Sequence, residues 1–191
     1  MDNDRKATAL KQLQGHIWKD AYESGAVKGH VYDDVRPAME RWVADGIQVR
    51  IYSSGSVAAQ KLLFKHSENG DMTKLLSGHY DTRIGGKMEA ASYRRIAEEA
   101  MTKPNSILFL SDRIEECEAA RAAGLMVVVS IRPGNADIPS DRLNAFESIT
   151  SFDQLVLTPV DGEPTTKTAK TAADDHGSTA DAGAKGSSDT A

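Results

Sequence analysis

Four side chains stand where an apolar run gives way to polar residues. Ser53 and Ser54 follow the run 47–52, Lys87 follows the Gly85-Gly86 pair, and Asp112 follows the run 107–110 and Ser111. Hydroxyls and free backbone N–H groups at a strand-to-helix junction bind phosphate oxygens. A lysine beyond two glycines can neutralise a phosphate as a point charge, because the glycines let the backbone turn close to a ligand. A carboxylate at a strand end offers a hard oxygen to Mg²⁺. Each residue also has a plainer use. One of the two serines can cap a helix at Val57, and a lysine after such a turn is commonly just solvated. Asp112-Arg113-Ile114-Glu115 has the spacing of a capping box. Glu116 and Glu118 read as helix-surface charges, with Glu116 also able to support a metal from behind its ligand. Taken in order, hydroxyls, then a lysine, then an aspartate form the pattern of a Mg²⁺-dependent phosphoryl-transfer site.

The elements that must position them follow from periodicity. Residues 5–23 carry Leu10, Leu13, Ile17, Trp18 and Ala21 at spacings of three and four, an amphipathic helix. After Gly25 and Gly29, a second helix opens with Asp34 as its cap and Pro37 in its first turn, and ends at Gly46. Strand and helix then alternate. Strands are predicted over 47–52, 80–84, 107–110 and 126–131, and helices over 57–66, 89–101 and 115–123. Uninterrupted apolar strands alternating with helices predict an α/β fold, a parallel sheet covered on both faces. Such sheets carry their chemistry beyond the carboxyl ends of the strands, where the four residues fall.

Composition narrows the function. The net charge is −5, and residues 161–191 hold six acids against three lysines, so the remainder is near neutral. That balance disfavours duplex nucleic acid as a partner. No apolar run approaches the ~20 residues that span a bilayer, and MDNDRKATAL lacks the apolar stretch of a secretory signal. The single cysteine, Cys117, excludes an internal disulfide. Residues 161–191 contain no Val, Ile, Leu, Met, Phe, Trp, Tyr or Cys, and a disordered tail is expected there.

The order hydroxyl, lysine, acid resembles the haloacid dehalogenase superfamily. The segments ALKQLQGHIWKDAYESG, VYDDVRPAMERW, IYSSGSVAAQKLLFKHSENGD, HYDTRIGGKMEAASYRRIAEEA, ILFLSDRIEECEAARAAG and RPGNA look more narrowly like the enolase-phosphatases of methionine salvage, or acireductone synthases. The resemblance implies a Rossmann-like core over 31–160 and the C-terminal part of a helical cap over 1–30. It also implies a monomeric enzyme of the cytoplasm, and of the nucleus as well. Its substrate would be a small phosphate ester, 2,3-diketo-5-methylthiopentyl 1-phosphate, converted to an acireductone and phosphate with one Mg²⁺. By residue match, Ser53 and Ser54 would hold the phosphate, Lys87 would neutralise it, and Asp112 would ligate Mg²⁺. Gln14, His16 and Trp18 fall in the cap segment and receive no role.

The superfamily's nucleophile is an aspartate ending the first strand, within an Asp-x-(Asp/Glu)-Gly-Thr-like motif. Two places imitate it. Asp2-Asn3-Asp4 has only Met1 before it, and Asp33-Asp34 lacks the spacing and opens a helix. The chain is therefore expected to begin inside the cap, after the nucleophile, and to be inactive by itself. The alternative is a fragment or isoform that serves as a binding or regulatory module. In the family the nucleophile strand lies between the strands at 47 and 107. Its loss removes apolar side chains that contribute ~1.5–3 kcal/mol each, so marginal stability is expected.

Overall fold

The computed structural model describes residues 18–159 and 167–171. Residues 18–23 are helical, the described part of α1. The remainder of the predicted first helix, with Gln14, His16 and the Asp2–Asp4 segment, lies outside the described residues. A loop leads to α2, Val35–Ala44, which buries Ala38, Met39 and Trp42. Gly46 ends it at a φ of 82°, a left-handed turn open to glycine at little cost.

From there the chain alternates as the apolar pattern predicts. The order is β1 (Val49–Tyr52), α3 (Val57–Lys65), β2 (Leu76–Tyr80), α4 (Ala90–Glu99), β3 (Leu108–Ser111), α5 (Ile114–Ala122) and β4 (Met126–Ser130). A short α6 (Ser140–Leu143) precedes β5 (Glu147–Ile149), β6 (Leu155–Pro159) and β7 (Lys167–Thr171). β1 pairs with β2, and β3, β4 and β5 form a second sheet in that order, all parallel. β6 and β7 form an antiparallel pair. The fold is α/β with parallel sheets, as expected.

β1 and β3 belong to different sheets, and side chains rather than a backbone ladder join them. Val31, Ala38, Met39, Trp42, Met72, Val128, Ile149 and Leu155 form one core cluster, against which Val49, Leu76, Leu108 and Leu110 of both sheets pack. A second cluster, around Tyr93, Ala119, Ala120 and Leu125, takes in Tyr52 from β1 and Phe109 from β3. Tyr93 meets Tyr52 and Phe109 edge-on, with ring centroids 5.6 and 5.0 Å apart, an arrangement favoured by the ring quadrupoles. Every residue of β1 and β3 is only half-buried, whereas the last three of β4 are buried.

Several local expectations are corrected. The strand predicted at 80–84 lies earlier, at Leu76–Tyr80. Residues beyond Asp81 turn back instead, Ile84 N–H donating to the Asp81 carbonyl at 3.1 Å. Asp34 occupies the N-cap position of α2 but makes no side-chain cap. Its carboxylate pairs with Arg132 at 2.5 Å and accepts from Phe152 N–H at 2.6 Å. The Asp112–Glu115 capping box does not form. Arg113 is the N-cap of α5, without a side-chain cap, and Glu115 pairs with Arg142 at 2.7 Å. Lys167–Thr171, inside the segment expected to be disordered, pairs with β6. The rest of that segment lies outside the described residues.

Candidate active site

β1 ends at Tyr52 and β3 at Ser111, so Ser53 and Asp112 are the first residues beyond two parallel strands. Ser53 continues the ladder for one bond, its N–H donating to the Tyr80 carbonyl at 3.2 Å. Its hydroxyl then accepts from Gly55 N–H at 3.1 Å and folds the 53–56 loop on itself. Ser54 is exposed. Neither serine caps α3. Ser56 does, accepting from Ala59 N–H at 3.2 Å.

The loop is held from beneath by two residues that the sequence did not single out. Gln60 is buried, and its amide donates to the Gly55 carbonyl at 3.0 Å and the Tyr80 carbonyl at 2.7 Å. Asp81 accepts from Val57 N–H at 3.3 Å, at the start of α3, and from Arg83 Nε at 2.9 Å. The Arg83 hydrogen bond is the largest influence on Asp81. With the N–H groups of Arg83 and Val57 it outweighs burial and holds the carboxyl at about 2. A buried glutamine after a serine loop and an aspartate after an aromatic strand end are the signals that could have found them, but both residue types are also common in turns.

Lys87 reaches into the space between β1 and β3. Its Nζ is 2.5 Å from Glu116 Oε2 and 5.9 Å from the centroid of the Tyr52 ring. Glu116, expected on the helix surface, is buried, and it also accepts from the Ser111 hydroxyl at 2.8 Å. The glycine turn is fixed from both sides. Tyr52 Oη donates to the Gly85 carbonyl at 2.9 Å, and Tyr93 Oη to the Lys87 carbonyl at 2.6 Å. Gly85 has a φ of 143°, and a Cβ there would collide with Ser92 Oγ. Burial, reinforced by the Glu116 charge, raises both phenols above their ordinary range.

Asp112 is exposed, and its Oδ2 accepts from Asn135 Nδ2 at 2.9 Å. Ser53 and Ser54 thus follow β1, Asp112 follows β3, and Lys87 is linked to Tyr52 at the end of β1 and, through Glu116, to Ser111 at the end of β3. Among the described residues no group of three or more His, Cys, Asp or Glu side chains could hold a metal. A single exposed carboxylate with one oxygen hydrogen-bonded still suits Mg²⁺, which keeps several waters and takes one or two carboxylates beside substrate phosphate. A cavity of about 790 Å³ runs along α3 and β2 past Lys61, Lys65 and His79, and none of the four candidates lines it. No helix among the described residues is long and apolar enough to cross a membrane.

Parallel strands alternating with helices, with Ser53, Ser54 and Asp112 just beyond two of the strands, define an α/β core of the kind that carries its chemistry at the carboxyl ends of its strands. Residues 1–124 match the family described as haloacid dehalogenase-like hydrolase, and the chain belongs to that family. It is 52% identical over 157 residues to the enolase-phosphatase E1 of Danio rerio, covering 82% of this chain and 60% of that protein. It is 54% identical over 155 residues to the enolase-phosphatase E1 of Xenopus tropicalis, covering 81% and 60%. The crystal structure of the UTR4 protein of Saccharomyces cerevisiae superposes with a TM-score of 0.69 at 37% identity, over 76% of this chain and 66% of that one. The chain therefore spans about 60% of the length of these two curated relatives.

Proposed function

We propose that this chain carries the phosphate-handling half of an enolase-phosphatase. The whole enzyme would convert 2,3-diketo-5-methylthiopentyl 1-phosphate to an acireductone and inorganic phosphate. The observation that carries this is the Lys87 ammonium held between the ends of β1 and β3 by Glu116, in a chain about half identical to enolase-phosphatases.

In this role Ser53 and Ser54 bind phosphate oxygens, and Lys87 offsets their charge. Glu116 keeps the ammonium aimed at the strand ends, and Ser111 in turn fixes Glu116. Asp112 would hold Mg²⁺, which when bound would supply positive charge against the phosphate. Phosphoryl transfer depends chiefly on such positioning and charge neutralisation, together with a nucleophile in line with the leaving oxygen. Ser53 is a poor nucleophile, because its hydroxyl organises its own loop and no base contacts it among the described residues. The acceptor proposed is a carboxylate on a strand seated between β1 and β3, whose backbones do not pair with each other. Without that strand the 191-residue chain does not turn over.

The test is Mg²⁺-dependent phosphate release from the diketo phosphate ester. The chain alone is compared with a chain extended by the corresponding N-terminal segment of a relative. Release is expected only from the extended chain, and Asp112→Asn there should lower it by about 10²-fold. Turnover by the short chain, indifferent to Asp112→Asn, would place the chemistry elsewhere.

A further inference from the structure

We propose that Asn135 is a metal-selectivity residue, which holds Asp112 to single-oxygen coordination and so favours Mg²⁺ over Ca²⁺. The proposal rests on the reading of Asp112 as a Mg²⁺ ligand. Its starting point is the hydrogen bond from Asn135 Nδ2 to Asp112 Oδ2, 2.9 Å long.

The orientation of that amide is determined by its other end. Asn135 Oδ1 accepts from Arg132 N–H at 2.6 Å, and Asn135 N–H donates to the Arg132 carbonyl at 3.0 Å. An oxygen facing a backbone N–H leaves the amide nitrogen as the group turned to the carboxylate. The loop that carries Asn135 is tied down residue by residue. Arg132 donates to Asp34 at 2.5 and 3.1 Å and lies 4.9 Å from the ring centroids of both Tyr32 and Phe152. Tyr32 Oη donates to the Pro133 carbonyl at 2.9 Å. Gly134 completes the turn at a φ of 88°. Asn135 is thus presented from a braced support rather than a free loop.

The consequence for a metal is geometric. A carboxylate with Oδ2 engaged by a donor offers Oδ1 to a cation. Mg²⁺ takes one carboxylate oxygen in a strict octahedron, whereas Ca²⁺ accepts larger coordination numbers and readily uses both oxygens of a carboxylate. A donor fixed on Oδ2 therefore withholds the second oxygen that Ca²⁺ would exploit. Partners that orient a ligand in this way commonly alter metal affinity by about 10–100-fold.

The measurement is Mn²⁺ binding to the 191-residue chain by electron paramagnetic resonance, with Mg²⁺ and Ca²⁺ as competitors. Asp112→Asn defines the part of the binding that belongs to Asp112. Asn135→Ala should raise the preference for Ca²⁺ over Mg²⁺ by about tenfold. Asn135→Asp keeps an acceptor for Arg132 N–H, and so preserves the turn while removing the donor. It should shift the preference in the same direction, with both metals bound more tightly. An Asp112-dependent site whose Ca²⁺-to-Mg²⁺ ratio is the same in both variants and the parent overturns the role of Asn135 and leaves the metal reading standing. Binding that ignores Asp112→Asn overturns the metal reading, and this proposal with it.

Discussion

The Lys87 ammonium and the Glu116 carboxylate, 29 positions apart in sequence, meet at 2.5 Å, with side chains 23% and 6% exposed. Glu116 is the third residue of α5 and is held by the hydroxyl of Ser111, which ends β3. A charge this buried is tolerated only because it is paired. The pair fixes the Lys87 ammonium beside Tyr52 of β1 and Ser111 of β3. Lys87→Met should leave Glu116 uncompensated and lower stability by about 3 kcal/mol. Adding Glu116→Gln should recover part of the loss, since residues in contact are not additive. Urea denaturation of the two singles and the double reads this directly, and strict additivity would contradict it.

Acid should act through Asp81. Its folded-state carboxyl lies at about 2, below the ordinary 3.8, chiefly through the Arg83 hydrogen bond. A depressed acid contributes stability above its unfolded value and loses it as pH falls through its folded value. The contribution is therefore complete above about pH 4 and fades between pH 4 and 2. Asp81→Asn should flatten the denaturation midpoint across that window, and an unchanged acid limb would assign the loss to other carboxylates.

Gln60 donates to two carbonyls, Gly55 O in the serine loop and Tyr80 O at the end of β2. Gln60→Leu preserves the bulk but strips both carbonyls of a donor, which should cost about 2 kcal/mol. It should also weaken binding of inorganic phosphate, followed by ³¹P line broadening, because the Ser53–Gly55 backbone loses its brace. Loss of stability with phosphate binding intact would make Gln60 a packing residue only.

Met101 follows α4 at a φ of 51° with 93% of its surface exposed. Thr102 N–H reaches the Ala97 carbonyl at 3.0 Å, and Met101 N–H the Glu98 carbonyl at 2.9 Å. That bond pair is a helix end normally carrying glycine at the left-handed position. Met101→Gly should stabilise the protein by about 0.5–1 kcal/mol, relief of left-handed strain exceeding the added unfolded-state entropy. A lower melting temperature would contradict it.

How much of this could be read in the residues depended on whether the signal was local. β3 and β4 are near-continuous apolar runs, LFLS and MVVVS, so their identity and parallel character were legible. β2 is LSGHY, with a glycine in its middle and a mixed burial pattern. It holds its place by pairing with β1, a partner 25 or more positions away, and Ile84, an apolar β-branched residue just beyond its end, drew the prediction forward. Ser53, Ser54, Lys87 and Asp112 stood out as candidates because each follows an apolar run or a glycine turn. Glu116, Gln60 and Asn135 were not, because their partners are set by the meeting of separate elements. Asp34 and Asp112 carried plausible local capping signals that lost to distant partners, Arg132 and Asn135. A guanidinium or an amide brought in by the fold outcompetes the few tenths to two kcal/mol of a cap.

Cys117, the chain's one thiol, is fully buried with Ile114 and Val129 beneath α5 and β4, and burial pushes it up to about 12. A thiol so placed is inert until the helix lifts from the strand. Reaction with a thiol reagent under native conditions is therefore a built-in clock for opening of the α5–β4 unit, with no label to introduce. Because Glu116 precedes Cys117 on that helix, the same opening breaks the contact with Lys87. The labelling rate then measures how often Lys87 is released from its partner, and an N-terminal strand seated between the sheets should slow that clock before any turnover is assayed.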